Sequence, residues 1–243
     1  MTLTPHATEA FSVLRRIVSA DSPAALASSF GAEDMVLIDL IGRHVLPVHV
    51  FTLDTGRLHE ETYELIDRVR RHYGLKIAVY TPQPEPLAAY VEANGVNAFR
   101  ESVELRQECC AIRKTAPLAR ALAGKRAWIT GLRRAQAETR GEVELEEYDS
   151  VHGLKKFNPL VEWSERQVWE YLRGHGVPYN PLHDRGYPSI GCAPCTRAIE
   201  PGEDVRAGRW WWEDREHKEC GLHRRPVAQP LAAPRALDNA SVS

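Results

Sequence analysis

The sequence predicts an α/β fold in which a parallel sheet carries helices on both faces. Three features support this. Apolar runs of strand length recur at 24–30, 47–53, 76–81 and 127–131, with stretches of helical spacing among them. The runs end in small or turn-forming residues: Ser29 before Gly31, Asp54-Thr55-Gly56, and Gly131. Strands alternating with helices at this spacing imply one parallel sheet, covered on both faces.

An amphipathic segment from Ala10 to Val18 comes first. Pro23 precedes a buried strand, Ala24 to Phe30; Gly31-Ala32-Glu33-Asp34 reads as a turn, and a helix opens at Met35 and runs to Ile41. A strand entering a helix N-terminus through Ser and Gly offers N–H groups and a favourable dipole to an anion, so this joint is a weak phosphate signal. Pro47 to Leu53 is the clearest strand, and Asp54 after it reads as a turn or cap residue. A helix from His59 to about Tyr73 and a strand from Lys76 to Thr81 follow, after which Pro82, Pro84 and Pro86 are expected to break the chain. Leu118 to Leu122 reads as helical and Ala127 to Gly131 as another strand. Ligands of such sheets sit at the C-terminal strand ends, where Ser29, Asp54 and Gly131 gather. The loop Arg133 to Arg140 is dense in cations, which suits an anionic ligand. Ser164 with Gln167 makes a capping box for a helix that runs through Arg173 and ends at Gly174 and Gly176.

With 243 residues, 43% hydrophobic and 26% charged, the chain has the balance of an ordinary soluble globular protein with one sizeable core. No apolar run is long enough to span a bilayer and no signal-peptide pattern opens the chain, so a cytoplasmic protein is expected, with its thiols reduced. A formal charge of -2 argues against nucleic acid as the main partner. The division expected is a nucleotide-binding α/β domain over residues 1–205 and a mobile C-terminal segment over 206–243. Beyond Arg224 the Pro- and Ala-rich composition points to disorder.

Four of the five cysteines form two doublets, Cys109-Cys110 and Cys192-Ala193-Pro194-Cys195, and Cys220 stands alone. That division suggests four thiolates holding a metal or cluster and one thiol left for chemistry. A disulfide between Cys109 and Cys110 is disfavoured, because adjacent Cα atoms about 3.8 Å apart strain it. Thiolates suit both tetrahedral zinc and iron–sulfur clusters, and the direct Cys-Cys doublet leans to a cluster. Cys220 has Lys218, His217, His223, Arg224 and Arg225 nearby, cations that favour the nucleophilic thiolate. Arg206 and Arg209, three apart, would share one face of a helix and could hold a sulfate or phosphate. Trp210-Trp211-Trp212 cannot all face one way, so at least one is expected to cover a site or a partner.

Together these residues resemble the assimilatory sulfonucleotide reductases, and within them the iron–sulfur adenylyl-sulfate reductases. The resemblance runs from about Ser28 to His223. Its most specific parts are Cys109-Cys110 with Lys114, Gly191-Cys192-Ala193-Pro194-Cys195-Thr196-Arg197, and Lys218-Glu219-Cys220-Gly221-Leu222-His223. Ser29-Phe30-Gly31-Ala32-Glu33-Asp34 and Leu53-Asp54-Thr55-Gly56 are similar to the family's nucleotide loops, the first of them one residue shorter than in some relatives. The resemblance implies an adenine-nucleotide α-hydrolase-like fold, related to the PP-loop proteins. It further implies a [4Fe–4S] cluster on Cys109, Cys110, Cys192 and Cys195, with Lys114, Arg140, Arg206 and Arg209 around the phosphosulfate. Ser29, Leu53 and Gly131 would line the adenosine pocket, with Ser28 or Ser29 as the phosphate-contacting serine and His223 in the nucleophile's own motif.

The activity implied is reduction of adenylyl sulfate to sulfite and AMP. The Cys220 thiolate attacks sulfur, and thioredoxin or a similar dithiol discharges the S-sulfocysteine. Reduction of the 3′-phosphorylated nucleotide, or of both, is the alternative. More distant readings are an ATP-dependent tRNA sulfurtransferase and a zinc-stabilised nucleic-acid-binding module. Formation of a homo-oligomer is left open.

Overall fold

The computed structural model describes residues 3–136 and 143–214. The expectations for Arg140, Cys220 and His223 lie outside these described residues.

Six strands form one sheet: β1 Ala24–Ala27, β2 His49–Leu53, β3 Ala78–Tyr80, β4 Ala127–Ile129, β5 Glu146–Asp149 and β6 Leu154–Phe157. Their order is β3-β2-β1-β4-β6-β5, parallel except for the edge strand β5, which pairs antiparallel with β6. The alternation of side chains across the strands explains why the central ones read as continuous apolar runs. Ala24, Leu26, Val50, Ala127 and Ile129 enter one core layer, whereas Ala25, Phe51 and Trp128 enter the other. The hairpin of β5 and β6 has no such signature in the sequence. Its charged residues pair across the strands, as Lys155 does with Glu146, leaving no apolar period to read.

The first layer is covered by α1 Pro5–Ala20, α2 Ala32–Arg43, α3 Glu60–Tyr73 and α7 Glu165–Gly174, and the second by α6 Ala116–Leu122. The α7 capping box forms with both of its bonds. The expected turn at Gly31 to Asp34 is instead the cap and first turn of α2: Gly31 is extended, and the helix opens at Ala32 rather than Met35. Glu33 and Asp34 suit this position because carboxylates are favoured in a first helical turn. The expected break at Pro82 to Pro86 is also corrected. Pro84 opens a helix, α4 Pro84–Asn94, where its missing N–H costs nothing.

Nearly every residue of α2 from Met35 to Ile41 is a buried hydrophobe, with Asp39 the polar exception at 0% exposure. Its Oδ1 accepts from the Tyr73 hydroxyl at 2.6 Å and from Arg43 Nε at 2.7 Å, and its Oδ2 from the Tyr171 hydroxyl at 2.7 Å. One carboxylate thereby ties α2 to α3 and α7. Burial, then the Asp39 bond, pushes both tyrosine phenols well above their ordinary range. Asp39→Ala is expected to cost about 3–5 kcal/mol, because it leaves two buried hydroxyls and a guanidinium without their acceptor. Urea denaturation reads this as a lowered midpoint at unchanged slope; an unchanged midpoint would show that the network contributes nothing.

Among the described residues, no helix is long and apolar enough to cross a membrane.

Candidate functional site

The strand order reverses at β1, with β2 on one side and β4 on the other, and a pocket of about 260 Å³ opens at the C-terminal ends of these strands. This is where parallel sheets place ligands, since the crossovers leave in opposite directions and open a crevice. The registers Ala27↔Phe51 and Leu26↔Ile129 bring Ser28, Leu53 and Gly131 to this edge together. Leu53, Leu118 and Trp128 give the pocket an apolar part, and Gly131 closes against the first turn of α2. A side chain at Gly131 would collide with Asp34 and Glu33.

The two serines at the end of β1 differ. Ser28 is buried and its Oγ accepts from the Phe30 N–H at 3.0 Å. Ser29 is exposed, and both its N–H (2.6 Å) and its Oγ (2.9 Å) donate to Asp34 Oδ2. Phe30 between them and α2 has a φ of 60°, a left-handed backbone unusual for an aromatic residue, and its ring is buried. At this joint Asp34 takes up the Ser29 N–H, and Glu33 and Asp34 of the first turn of α2 line the pocket. Burial pushes the Asp34 carboxyl up to about 6, against the lowering effect of the Ser29 bonds.

The cationic loop after β4 is described as far as Gln136. Arg133 lines the pocket; its Nε pairs with Glu33 at 2.8 Å and its Nη1 donates to the Trp163 carbonyl at 3.2 Å, while Arg134 pairs with Glu162 and Glu144. Glu33 and Arg133 meet across one hundred residues of chain, so local sequence could not show it.

Besides Arg133, the cations that line the pocket are Lys114, Arg206 and Arg209. Lys114 arrives on a π-helical turn, Ala111–Thr115, between the helix α5 Val103–Cys110 and α6. Such turns re-aim the side chains they carry and are frequent at functional sites. Arg206 and Arg209 do not share a helix face, as expected from their spacing; they sit on successive turns of an irregular segment held to Thr196 and Arg197 by backbone bonds. The Arg209 guanidinium lies over Gly191, where any side chain would strike it, and its Nη1 reaches Ser189 Oγ at 3.3 Å.

Beside this end of the pocket, Cys109, Cys110, Cys192 and Cys195 line one small cavity with Phe99, Arg57, Arg106, Arg113 and Lys114. Among the described residues none of the four is in a disulfide. The first pair ends α5, and the second brackets a 3₁₀ turn, Ala193–Cys195. Arg106 bonds to Cys110, Arg113 to Cys109, and Thr55 Oγ1 lies 3.2 Å from Cys192 Sγ. Burial raises Cys192, yet Lys114, Thr55, Arg209 and Arg113 together bring it below the ordinary thiol value. Cys195 is pushed up to about 12 by burial and then by the charge of Cys192. Four clustered thiols cannot all ionise in such a place without added positive charge. The donor set fits a group held by four thiolates, in which metal ions neutralise the sulfurs and the cationic rim offsets the remaining negative charge. Among the described residues no group of three or more His, Cys, Asp or Glu side chains is arranged to hold a single metal ion.

Trp210 joins the cavity to the pocket. It is 1% exposed with a φ of 41°, and the guanidinium carbons of Arg106 and Arg209 each lie 4.7 Å from its ring. Its N–H donates to the Cys195 carbonyl at 3.1 Å, and Arg106 is held by Glu213 at 2.7 Å. Trp212 packs toward Phe99, whereas Trp211 is 39% exposed. Arg106 and Arg113 were missed in the sequence, although each lies three residues from a cysteine of the doublet. Helical neighbours at that spacing are within reach of each other. Glu33 and Asp34, within the loop similar to the family's nucleotide loop, also line the pocket, as do Trp169 and His183, which no motif marked.

Residues 23–198 match the family model of the phosphoadenosine phosphosulfate reductase domain. An adenosine 5′-phosphosulfate reductase of Allochromatium vinosum is 60% identical over 210 residues, covering 86% of this chain and 82% of that protein. An enzyme of the same name from Neisseria meningitidis serogroup A is 53% identical, covering 87% of each. Among solved structures, the phosphoadenylyl-sulfate reductase of Candida auris in a phosphate complex aligns with a TM-score of 0.68 and 27% identity, over 82% of this chain and 99% of that one. The FMN adenylyltransferase of Candida glabrata aligns with a TM-score of 0.54 at 13% identity, over 90% of this chain and 80% of that one, a likeness of fold alone.

Proposed function

Because the chain belongs to the phosphoadenosine phosphosulfate reductase family, we propose that it is an adenylyl-sulfate reductase, releasing sulfite and AMP through a covalent intermediate on Cys220. The observation that carries this reading is the crevice at the strand ends, whose Lys114, Arg206 and Arg209 stand beside a cavity lined by four thiols. The unphosphorylated nucleotide is preferred to its 3′-phosphorylated form because relatives at 47–60% identity carry that substrate in their names. The same family match places the reductase ahead of a tRNA sulfurtransferase or a zinc-stabilised module. Four cysteines outside any disulfide suit a reducing compartment such as the cytoplasm.

The nucleoside occupies the apolar part of the crevice by Leu53 and Gly131, and its phosphosulfate extends toward Lys114, Arg206 and Arg209. The Cys220 thiolate attacks the sulfur. The S–O bond to phosphate breaks, AMP leaves with the electron pair, and Cys220 keeps the sulfonate. The three cations stabilise charge growing on the phosphate in a partly enclosed crevice, where preorganised donors count for more than in water. A thioredoxin-like dithiol then attacks Cys220 Sγ; sulfite departs with the electron pair and the dithiol's second thiol resolves the mixed disulfide. Cys109, Cys110, Cys192 and Cys195 would hold a [4Fe–4S] cluster, which supplies local charge and order rather than electrons.

Intact-protein mass spectrometry tests this on reduced, anaerobic protein mixed with adenylyl sulfate or its 3′-phosphorylated form and no reductant. A sulfonate adduct on Cys220 from the unphosphorylated nucleotide, discharged by thioredoxin, is expected. An adduct from the phosphorylated form alone would reassign the substrate, and none from either would end the thiol mechanism.

A further inference from the structure

His183 lines the same pocket and plays no part in the chemistry above. It sits in the 3₁₀ turn Pro181–Arg185, which is held from several sides. Asn180 caps the turn by accepting from the Leu182 N–H at 3.0 Å, and its own amide donates to Thr62 Oγ1 of α3 at 3.0 Å. Leu182 is buried, the Tyr187 N–H donates to its carbonyl at 3.1 Å, and Trp169 meets the imidazole edge-on at 5.2 Å. The ring is thus fixed in place.

Both ring nitrogens are shielded from solvent, and among the described residues neither meets a hydrogen-bond partner of good geometry. A buried polar atom left in this state is costly, and native proteins keep one mainly where something else completes it. The Tyr187 carbonyl lies near enough to favour an N–H on one nitrogen, and Glu33, Asp184 and Glu165 also favour the charged ring, yet burial outweighs all of them and keeps the imidazole below its ordinary value. A neutral ring with one N–H turned to a carbonyl offers a lone pair on its other nitrogen. Phosphate and sulfate oxygens carry no donor for that lone pair.

We infer that His183 accepts a hydrogen bond from an uncharged donor of the bound nucleoside, either a ribose hydroxyl or the adenine amine, and so helps to position the nucleotide. The inference rests on the nucleotide reading of the pocket. Its test is calorimetric binding of AMP, 2′-deoxy-AMP, 3′-deoxy-AMP and purine riboside monophosphate, which lacks the amine, to the wild type and to His183→Phe. Wild-type protein is expected to lose affinity for one of the three analogues by on the order of tenfold, as removal of one buried hydrogen bond predicts. His183→Phe is expected to lose a similar factor for AMP and to stop discriminating against that same analogue. The analogue affected identifies the donor.

Binding of AMP by His183→Phe at wild-type strength, or an equal loss for all four ligands, would overturn the inference and leave the nucleotide reading standing. Failure of wild-type protein to bind AMP would overturn both. Should the phenylalanine variant not fold, His183→Gln, which keeps an acceptor oxygen, is read by the same comparison and is expected to retain part of the discrimination.

Discussion

Cys220→Ser is expected to lower turnover of adenylyl sulfate by at least about a thousandfold while leaving AMP affinity within about threefold of wild type. Sulfur and oxygen occupy similar volumes, so the substitution removes nucleophilicity with little change in shape. A serine hydroxyl is almost wholly protonated near neutrality, whereas a thiol set among Lys218, His223, Arg224 and Arg225 is drawn toward its thiolate. Because the proposed ligands are the four other cysteines, visible absorption from a thiolate-bound cluster is expected to persist unchanged. Single-turnover measurements under anaerobic conditions, with AMP release as the readout, separate the two effects. Persistent AMP release, or an adduct on one of the other four cysteines, would show that a different thiol carries the chemistry.

Cys192→Ser is expected to have the second largest effect and to differ in kind. Cys192 has cationic surroundings, with Lys114, Arg209 and Arg113 all acting to keep it ionised. It is also bonded to Thr55 and lies beside the turn that anchors Trp210. Serine leaves the packing nearly intact and removes a soft ligand. Purified variant protein is expected to contain less than about a tenth of the wild-type iron and sulfide, and its tryptophan fluorescence is expected to shift as Trp210 loses its fixed surroundings. Unchanged iron and sulfide would overturn the assignment of Cys192 as a ligand. Zinc without sulfide in the wild type would replace the cluster with a zinc site on the same residues.

The division between legible and hidden features follows from range. The central strands could be read because each places alternate residues in two apolar layers, so their character is written in consecutive letters. The β5–β6 hairpin could not, because charge pairs across it replace that pattern. The start of α2 was misplaced by three residues because Gly31 to Asp34 has the composition of a turn, and cap and turn draw on the same residues. The prolines after β3 read as breaks, although Pro84 and Pro86 lie in the first turn of α4, where an N–H has no intrahelical partner to lose.

By itself the sequence determined the chemistry available: four thiols in two doublets, a fifth thiol among cations, and loops at the strand ends to receive a nucleotide. Residue identity and short spacing are enough for these, since donor type and nucleophilicity belong to the side chain itself. Only the tertiary structure decided which charges serve the site. Arg134 pairs with Glu162 outside the pocket lining, whereas Lys114, Arg133, Arg206 and Arg209 line the pocket, Arg133 while paired with Glu33. The fold likewise set Asp34 against the Ser29 N–H at the α2 terminus and brought His183 to the pocket. A charge acts through its nearest partner, and in this protein the nearest partner is often a hundred residues away along the chain.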